Sequence, residues 1–215
     1  MQELKIEHIC KVIKGVSLLK DVSLTITKGH IYGIVGRNGS GKTVLLKCIC
    51  GFMPITSGKI LQDGVEIGKD TEFIRDTGFI IENPSFLSGK SGLKNLKYLA
   101  GIRKKANEER LRECMKTVGL DPANDKPVGK YSLGMRQRLG IAQVLMEDPD
   151  FILLDEPMNG LDNEGVVQMR ELFIKLKQQG KTFLVVSHNR DDIEALCDEV
   201  YEMDAGMLKK TKKIE

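Results

Sequence analysis

What the sequence lacks narrows its reading before any motif is considered. Its five cysteines, Cys10, Cys48, Cys50, Cys114 and Cys197, are odd in number and never fall in C-x-x-C spacing. That excludes a disulfide framework or a zinc module and fits a reducing cytosol. Cys48 and Cys50 fall in a predicted helix and read as packing residues rather than redox groups. No apolar run approaches the roughly 18 residues that cross a bilayer, and the acid-containing start, residues 1–8, lacks the apolar stretch of a signal peptide. Any membrane-spanning part of the system is therefore expected on another chain. Charge of one sign is scarce too. The 33 Lys and Arg against 30 Asp and Glu leave a formal net charge of +3, too mild to imply a nucleic-acid partner. Tryptophan is absent, as are internal repeats and low-complexity segments. The composition is that of an ordinary folded protein, and 215 residues suffice for one domain with a sizeable core.

What is present centres on residues 36–43. Gly36, Arg37, Asn38, Gly39, Ser40, Gly41, Lys42 and Thr43 fit the phosphate-cradling pattern G-x-x-x-x-G-K-[ST] without a gap. An apolar run at 31–35 precedes them and a helix-like stretch from Val44 to residue 50 follows. A buried strand would thus deliver the loop to a helix N-terminus, where unpaired N–H groups and the helix dipole favour an anion. The glycines let the backbone wrap phosphate oxygens closely. Lys42 would supply a cation to the β- and γ-phosphates, and the Thr43 hydroxyl would ligate Mg²⁺.

Around this loop the pattern alternates between strand and helix. Residues 3–28 read as short strands with turns, residues 59–67 as a hairpin turning at 62–64, and 78–81 as a compact apolar strand. Apolar residues at three- and four-residue spacing predict helices over 92–102, 107–118 and 133–146. Runs at 151–154 and 183–186 read as strands buried on both faces, with an amphipathic helix over 165–178 between them. A hairpin over 199–203 and 207–210 closes the domain, and Lys209 to Lys213 read as a solvated end.

A second group of chemistry-bearing residues follows the run at 151–154. Asp155, at the C-terminal end of a buried strand, suits Mg²⁺ binding beside the loop. Glu156 next to it can orient or deprotonate an attacking water. His188 ends the next core strand, where a ring N–H can contact a γ-phosphate. Together with the run from Tyr131 to Arg138 these residues make the chain resemble the ATP-binding cassette of ABC transporters, along essentially its whole length. Ser132, Leu133, Gly134 and Met135 stand where the family has its signature, commonly L-S-G-G-Q, and Gly160, Leu161 and Asp162 resemble the loop that meets its counterpart across a dimer.

The resemblance implies an α/β fold: a P-loop NTPase core with a mainly parallel sheet, an antiparallel β subdomain and an α-helical subdomain. The single cassette spans 1–215, with the β subdomain and core at about 1–83 and 150–215 and the helical subdomain at about 84–149. It implies an ATPase subunit with ATP and Mg²⁺ as cofactors, working as a homodimer or heterodimer of cassettes. Transmembrane permease subunits on separate chains would be its partners, and its place the cytoplasmic, inner face of the cell membrane. Two ATP molecules would lie between head-to-tail copies, the loop of one facing Ser132 to Met135 of the other. The other readings are a non-transport cassette ATPase acting on nucleic acid or ribosomes, and an inactive nucleotide-binding partner. The first of these lacks the usual coiled coil, second cassette or zinc insert, and the second is opposed by Lys42, Asp155, Glu156 and His188.

Three departures from the family pattern stand out. Glu82 occupies the place of a metal-ligating Gln and is expected to bind Mg²⁺ directly. Leu133 and Met135 replace a Gly and a Gln in the signature. The adenine-stacking aromatic is missing, its place falling near Ile13, which offers apolar contact without an aromatic face. The wording around 81–84, 131–142 and 156–162 is most similar to cassettes of the bacitracin- and lantibiotic-resistance type, which implies export of antimicrobial peptides or drugs. No appended regulatory domain is expected after the last hairpin.

Overall fold

The computed structural model describes residues 1–103 and 106–211. Lys212 and Lys213 of the expected solvated end lie outside the described residues.

Two sheets form the frame. In the first, β1 (Glu3–Ile13), β2 (Val16–Thr27), β4 (Ser57–Gln62) and β5 (Val65–Glu66) make an antiparallel sheet in the order β2-β1-β4-β5. The second holds six strands in the order β10-β9-β3-β8-β7-β6. These are β3 (Ile31–Val35), β6 (Thr77–Ile80), β7 (Phe151–Asp155), β8 (Thr182–Ser187), β9 (Glu199–Asp204) and β10 (Met207–Thr211). All neighbours are parallel except β10, which turns back on β9 through Ala205 and Gly206. The short strands expected at the start are two long ones. The alternation breaks where bulges shift the β1–β2 register, near the left-handed residues His8 and Asp21, and a bulge inserts a residue that upsets the period of two.

The central strands of the second sheet, β3, β7 and β8, are buried on both faces, so alternate residues enter different cores. Phe151, Leu153, Leu184 and Val186 face the antiparallel sheet together with Leu45, Leu46 and Ile49 of helix α1 (Lys42–Cys50). Ile152, Leu154, Phe183 and Val185 face the other way. There they join α2 (Gly92–Arg103), α3 (Glu108–Thr117), α4 (Leu133–Leu145), α5 (Asn163–Gln178) and α6 (Arg190–Leu196) in one cluster. Helix α6 has no counterpart among the expected elements. It is only seven residues long, too short for an apolar period to show, and Asn189 caps it. Gly33 lets it come close: a Cβ there would lie 2.3 Å from Ile193 Cγ2.

The loop that links β6 to α2 is held by buried Asn95, which accepts from Leu87 N–H and donates to the Leu87, Lys90 and Ser91 carbonyls. Cys48 and Cys50 are buried in α1, and burial pushes their thiols up to about 11 and about 12, so they stay protonated and act as small apolar side chains.

Candidate functional site

The chain leaves β3 at Val35 and enters α1 at Lys42, and the intervening loop is shaped by approach distances only glycine permits. A Cβ on Gly36 would lie 2.3 Å from the Met203 carbonyl oxygen, and one on Gly41, whose φ is 111°, would lie 2.9 Å from that of Leu18. The loop is braced from behind by the β9–β10 turn, Gly206 N–H donating to the Ser40 carbonyl at 2.9 Å. Helix α1 begins at Gly41 with no side-chain cap, whereas Asn107, Ser132, Asp162 and Asn189 each cap their own helices. The first N–H groups of α1 are left for something other than the chain. Ser40 Oγ is likewise buried with no hydrogen-bond partner.

Lys42 is 6% exposed, and its Nζ folds back to donate to the Gly36 and Arg37 carbonyls at 2.6 and 3.0 Å. Thr43 Oγ1 donates to Asp155 Oδ2 at 2.8 Å, joining the start of α1 to the end of β7. Burial holds the Asp155 carboxyl above the usual aspartate range. The Glu156 charge works in the same direction, against the Thr43 hydroxyl, Lys42 and the Glu82 backbone N–H. Glu156 itself has a left-handed backbone, φ 51°, and both its carboxylate oxygens are held. Ser187 Oγ donates to Oε2 at 2.9 Å, His188 N–H donates to Oε1 at 2.8 Å, and His188 Nδ1 lies 2.9 Å from Oε1.

Lys42, Thr43, Asp155 and Glu156 border a cleft of about 600 Å³. Asn38, Gly39, Gly41, Lys42, Thr43 and Val44 line it, with Glu82, Asp155 and Glu156 at one side. Gly36, Arg37 and Ser40 shape the loop without lining the cleft, and His188 stands behind Glu156, beside Gly160 and Leu161 in an adjoining groove. The apolar wall expected from Ile13 is supplied instead by Val16 and Leu18. Ile13 pairs with Val16 across the Lys14–Gly15 turn, so it sits on β1, one strand farther from the loop than β2. Glu82 lines the cleft, but its carboxylate is engaged by Lys47 Nζ at 2.8 Å.

Ser132, Leu133, Gly134 and Met135 do not line this cleft. They form the start of α4, where Ser132 Oγ accepts from Met135 N–H at 3.1 Å. Leu133 is partly exposed and packs against Gly160, whose missing Cβ would come within 2.4 Å of it. Asp162, the third residue of that loop, caps α5 by accepting from Gly165 N–H at 2.9 Å. Residues missed in the sequence include Val16, Leu18, Gln137 and Lys47. Gln137 is 5% exposed and lines the cleft, its Nε2 3.4 Å from the Glu156 carbonyl. A polar residue at a core position of α4 was the available signal.

The donors at the Thr43–Asp155 contact are all oxygen, and a carboxyl strained upward by burial gains from a nearby cation, so they fit a hard ion such as Mg²⁺. Among the described residues no cluster of three or more His, Cys, Asp or Glu could hold a metal alone. That suits an ion held by one or two side chains plus substrate phosphates.

Comparison with known proteins gives a consistent picture. The profile described as ABC transporter matches residues 19–159. The chain is 40% identical over 211 residues to the uncharacterized ABC transporter ATP-binding protein YybJ of Bacillus subtilis (strain 168), covering 98% of this chain and 97% of that one. It is 35% identical to the lantibiotic transport ATP-binding protein SrtF of Streptococcus pyogenes, over 91% of this chain and 84% of SrtF. Among solved structures, CbiO1 from Clostridium perfringens, part of the ABC transporter complex cbiONQ, superimposes with a TM-score of 0.81. It is 28% identical, with 96% of this chain and 86% of that one covered.

Proposed function

The chain belongs to the ABC transporter family as an ATP-binding, ATP-hydrolysing subunit, and from that premise we propose how its residues carry out the work. The observation that carries the proposal is the junction at the cleft: buried Lys42 at an uncapped helix start, with Thr43 clasped to Asp155. The triphosphate of ATP lies over the loop, taking the free N–H groups of α1 and drawing Lys42 Nζ from the Gly36 and Arg37 carbonyls onto the β- and γ-phosphates. Val16 and Leu18 receive the base, with Ile13 beyond them. Thr43, Asp155 and Glu82 are the residues that would hold Mg²⁺, with Glu82 turning from Lys47 to do so. When bound, the ion offsets the charge on the phosphate oxygens.

Glu156 orients a water and accepts its proton as the water oxygen attacks the γ-phosphorus. The bond to the β–γ bridging oxygen breaks, and ADP departs with the electron pair, leaving inorganic phosphate. Ser187 and His188 hold Glu156 in place for this, and the outer ring nitrogen of His188 is left to meet the γ-phosphate. Ser132, Leu133, Gly134 and Met135 act on nucleotide held by a second cassette. The Ser132 hydroxyl accepts from Met135 N–H yet keeps its own proton to donate to a phosphate oxygen. Gly160, Leu161 and Asp162 meet their counterparts beside it. ATP bound in this way stabilises the closed pair by mass action, and hydrolysis releases it.

On this reading residues 1–83 and 150–215 form the β subdomain and core, and 84–149 the helical subdomain that docks permease subunits on other chains. Among the described residues no helix is long and apolar enough to cross a membrane, and the proposed place is the cytoplasmic face of the membrane that holds those permeases. Similarity to SrtF supports antimicrobial peptides as the transported class. The test is ATP hydrolysis and sedimentation of the wild type against Glu156→Gln. The variant should keep ATP binding, lose hydrolysis and sediment as a dimer only with ATP. Hydrolysis unchanged in Glu156→Gln would refute the assignment.

A further inference from the structure

Lys47 lies one helical turn beyond Thr43 on the same face of α1. Its Nζ donates to Glu82 Oε1 at 2.8 Å. Glu82 is therefore held through its side chain by Lys47, while its backbone N–H favours the charged form of the Asp155 carboxyl. It holds this place with a left-handed backbone, φ 64°, which a non-glycine residue seldom adopts unless its surroundings demand it. Three carboxylates, Glu82, Asp155 and Glu156, border the cleft at its Thr43 side, while Lys47 stands outside the lining, behind Glu82. The two elements that carry the pair are clasped a second time. Phe52, just past the end of α1, meets Phe79 of β6 edge to face at 5.0 Å.

We propose that Lys47 is a positioning residue for Glu82: it holds the carboxylate in the cleft wall and offsets its charge, so that ATP phosphates can settle beside it. The inference rests on the reading of the cleft as an ATP site and deepens it. A triphosphate facing an uncompensated Glu82 would be repelled, most strongly before any divalent cation arrives. With Lys47 in place the Glu82 charge is offset, and the same lysine holds the carboxylate at the cleft wall until the phosphates and a cation arrive. Folding depends little on the contact, because the Glu82 side chain is 64% exposed and an ion pair so open to water is well screened. The Lys47 carbonyl, not its side chain, anchors the turn that follows α1, accepting from Phe52 and Met53 N–H.

The experiment is titration of the full chain with a fluorescent ATP analogue, first in chelator and then in Mg²⁺. Wild type is compared with Lys42→Ala, Lys47→Met, Lys47→Arg, Glu82→Gln and the Lys47→Met/Glu82→Gln double variant, with thermal unfolding as the fold control. Lys47→Met should weaken metal-free binding about fivefold, roughly 1 kcal/mol, and Lys47→Arg should restore it. In the Glu82→Gln background the same Lys47→Met change should alter binding by less than about twofold. An equal loss in both backgrounds, or no loss in either, would overturn the role of Lys47 alone, provided Lys42→Ala weakens binding about a hundredfold. Binding indifferent to Lys42→Ala would overturn the nucleotide reading and this inference together.

Discussion

The two helix N-termini to which the proposed function assigns recognition are built in opposite ways. Helix α1 starts at Gly41 with no side-chain cap, over a loop whose lysine is buried and whose threonine is tied to Asp155. Helix α4 starts at Ser132, which caps it through Met135 N–H, and its first residue, Leu133, is partly exposed and leans on Gly160. The first is a cleft with floor, cation and metal-suited oxygens already assembled in one chain. The second is self-satisfied and lies outside the lining of that cleft. A helix start that leaves its donors open awaits a ligand, whereas one that is capped can add a ligand without needing it for stability. The asymmetry is what a site completed by a second copy requires, since only one half must hold nucleotide alone.

The largest expected effect tests that asymmetry directly. Lys42→Ala should lower the ATP affinity of the dilute monomer about a hundredfold, as loss of a buried charge-assisted contact implies. Ser132→Ala should leave monomer affinity within about twofold yet slow hydrolysis tenfold or more, in line with loss of one donor to a transition-state oxygen, roughly 1.4 kcal/mol or above. Equal losses of monomer binding in isothermal titration would break the contrast between the two ends.

A second effect concerns the packing that substitutes for a ligand at α4. Gly160 has φ 77°, and an added Cβ would meet Leu133 Cγ at 2.4 Å. Gly160→Ala should therefore destabilise the chain by about 2 kcal/mol, strain and overpacking together. Gly39, also left-handed but with open space around it, should lose only about 1 kcal/mol on the same change. Urea midpoints of the two variants would show whether the α4 end is the more tightly packed.

Base selection should be weaker still. With Val16 and Leu18 as the apolar wall and no aromatic face, ATP and GTP should differ in affinity by less than about tenfold. A larger ratio in competition titrations would mean the cleft reads the base by contacts beyond that wall.

The smallest effect sharpens how firmly the first end is mounted. Asp198 accepts from Ile31 N–H at 2.8 Å and from Lys177 at 2.9 Å, anchoring the start of the strand that delivers the loop. Burial alone would raise its pKa, but those two donors prevail and hold it below the usual aspartate range. Because the folded value is the lower one, its stabilising contribution is complete above the unfolded value near about pH 4 and is lost as pH falls through the folded value. Asp198→Asn should flatten that acid limb in thermal melts recorded across pH 2 to about 5; an unchanged limb would remove Asp198 from the mounting.

Much of this was legible in advance. The strands β3, β6, β7 and β8, the helices α2 to α5, the phosphate loop and the acid pair announced themselves through local period and spacing. The signature did so through its resemblance to a family, and β9 read only as one arm of a hairpin, its parallel pairing with β3 unseen. Helix α6 did not, because seven residues are too few for a period, and the long β1–β2 hairpin was hidden by bulges at its middle. In the site, Thr43, Asp155, Glu156 and His188 were found from their positions at strand and helix ends. Gln137 was overlooked, although a buried polar residue on a helix is itself a signal.

By itself the sequence determined which chemistry this chain carries, since the phosphate loop, the paired acids and the capping residues are defined by neighbours a few positions apart. Tertiary structure alone decided which partners those groups have. That Val16 rather than Ile13 walls the cleft depends on hairpin register and on which strand lies against the loop. That Glu82 finds Lys47, 35 positions away, depends on β6 ending beside α1. The physical reason is the same for both: spacing along the chain sets a residue's own direction, but contact between distant residues is fixed by sheet order and burial, which no short window of sequence contains.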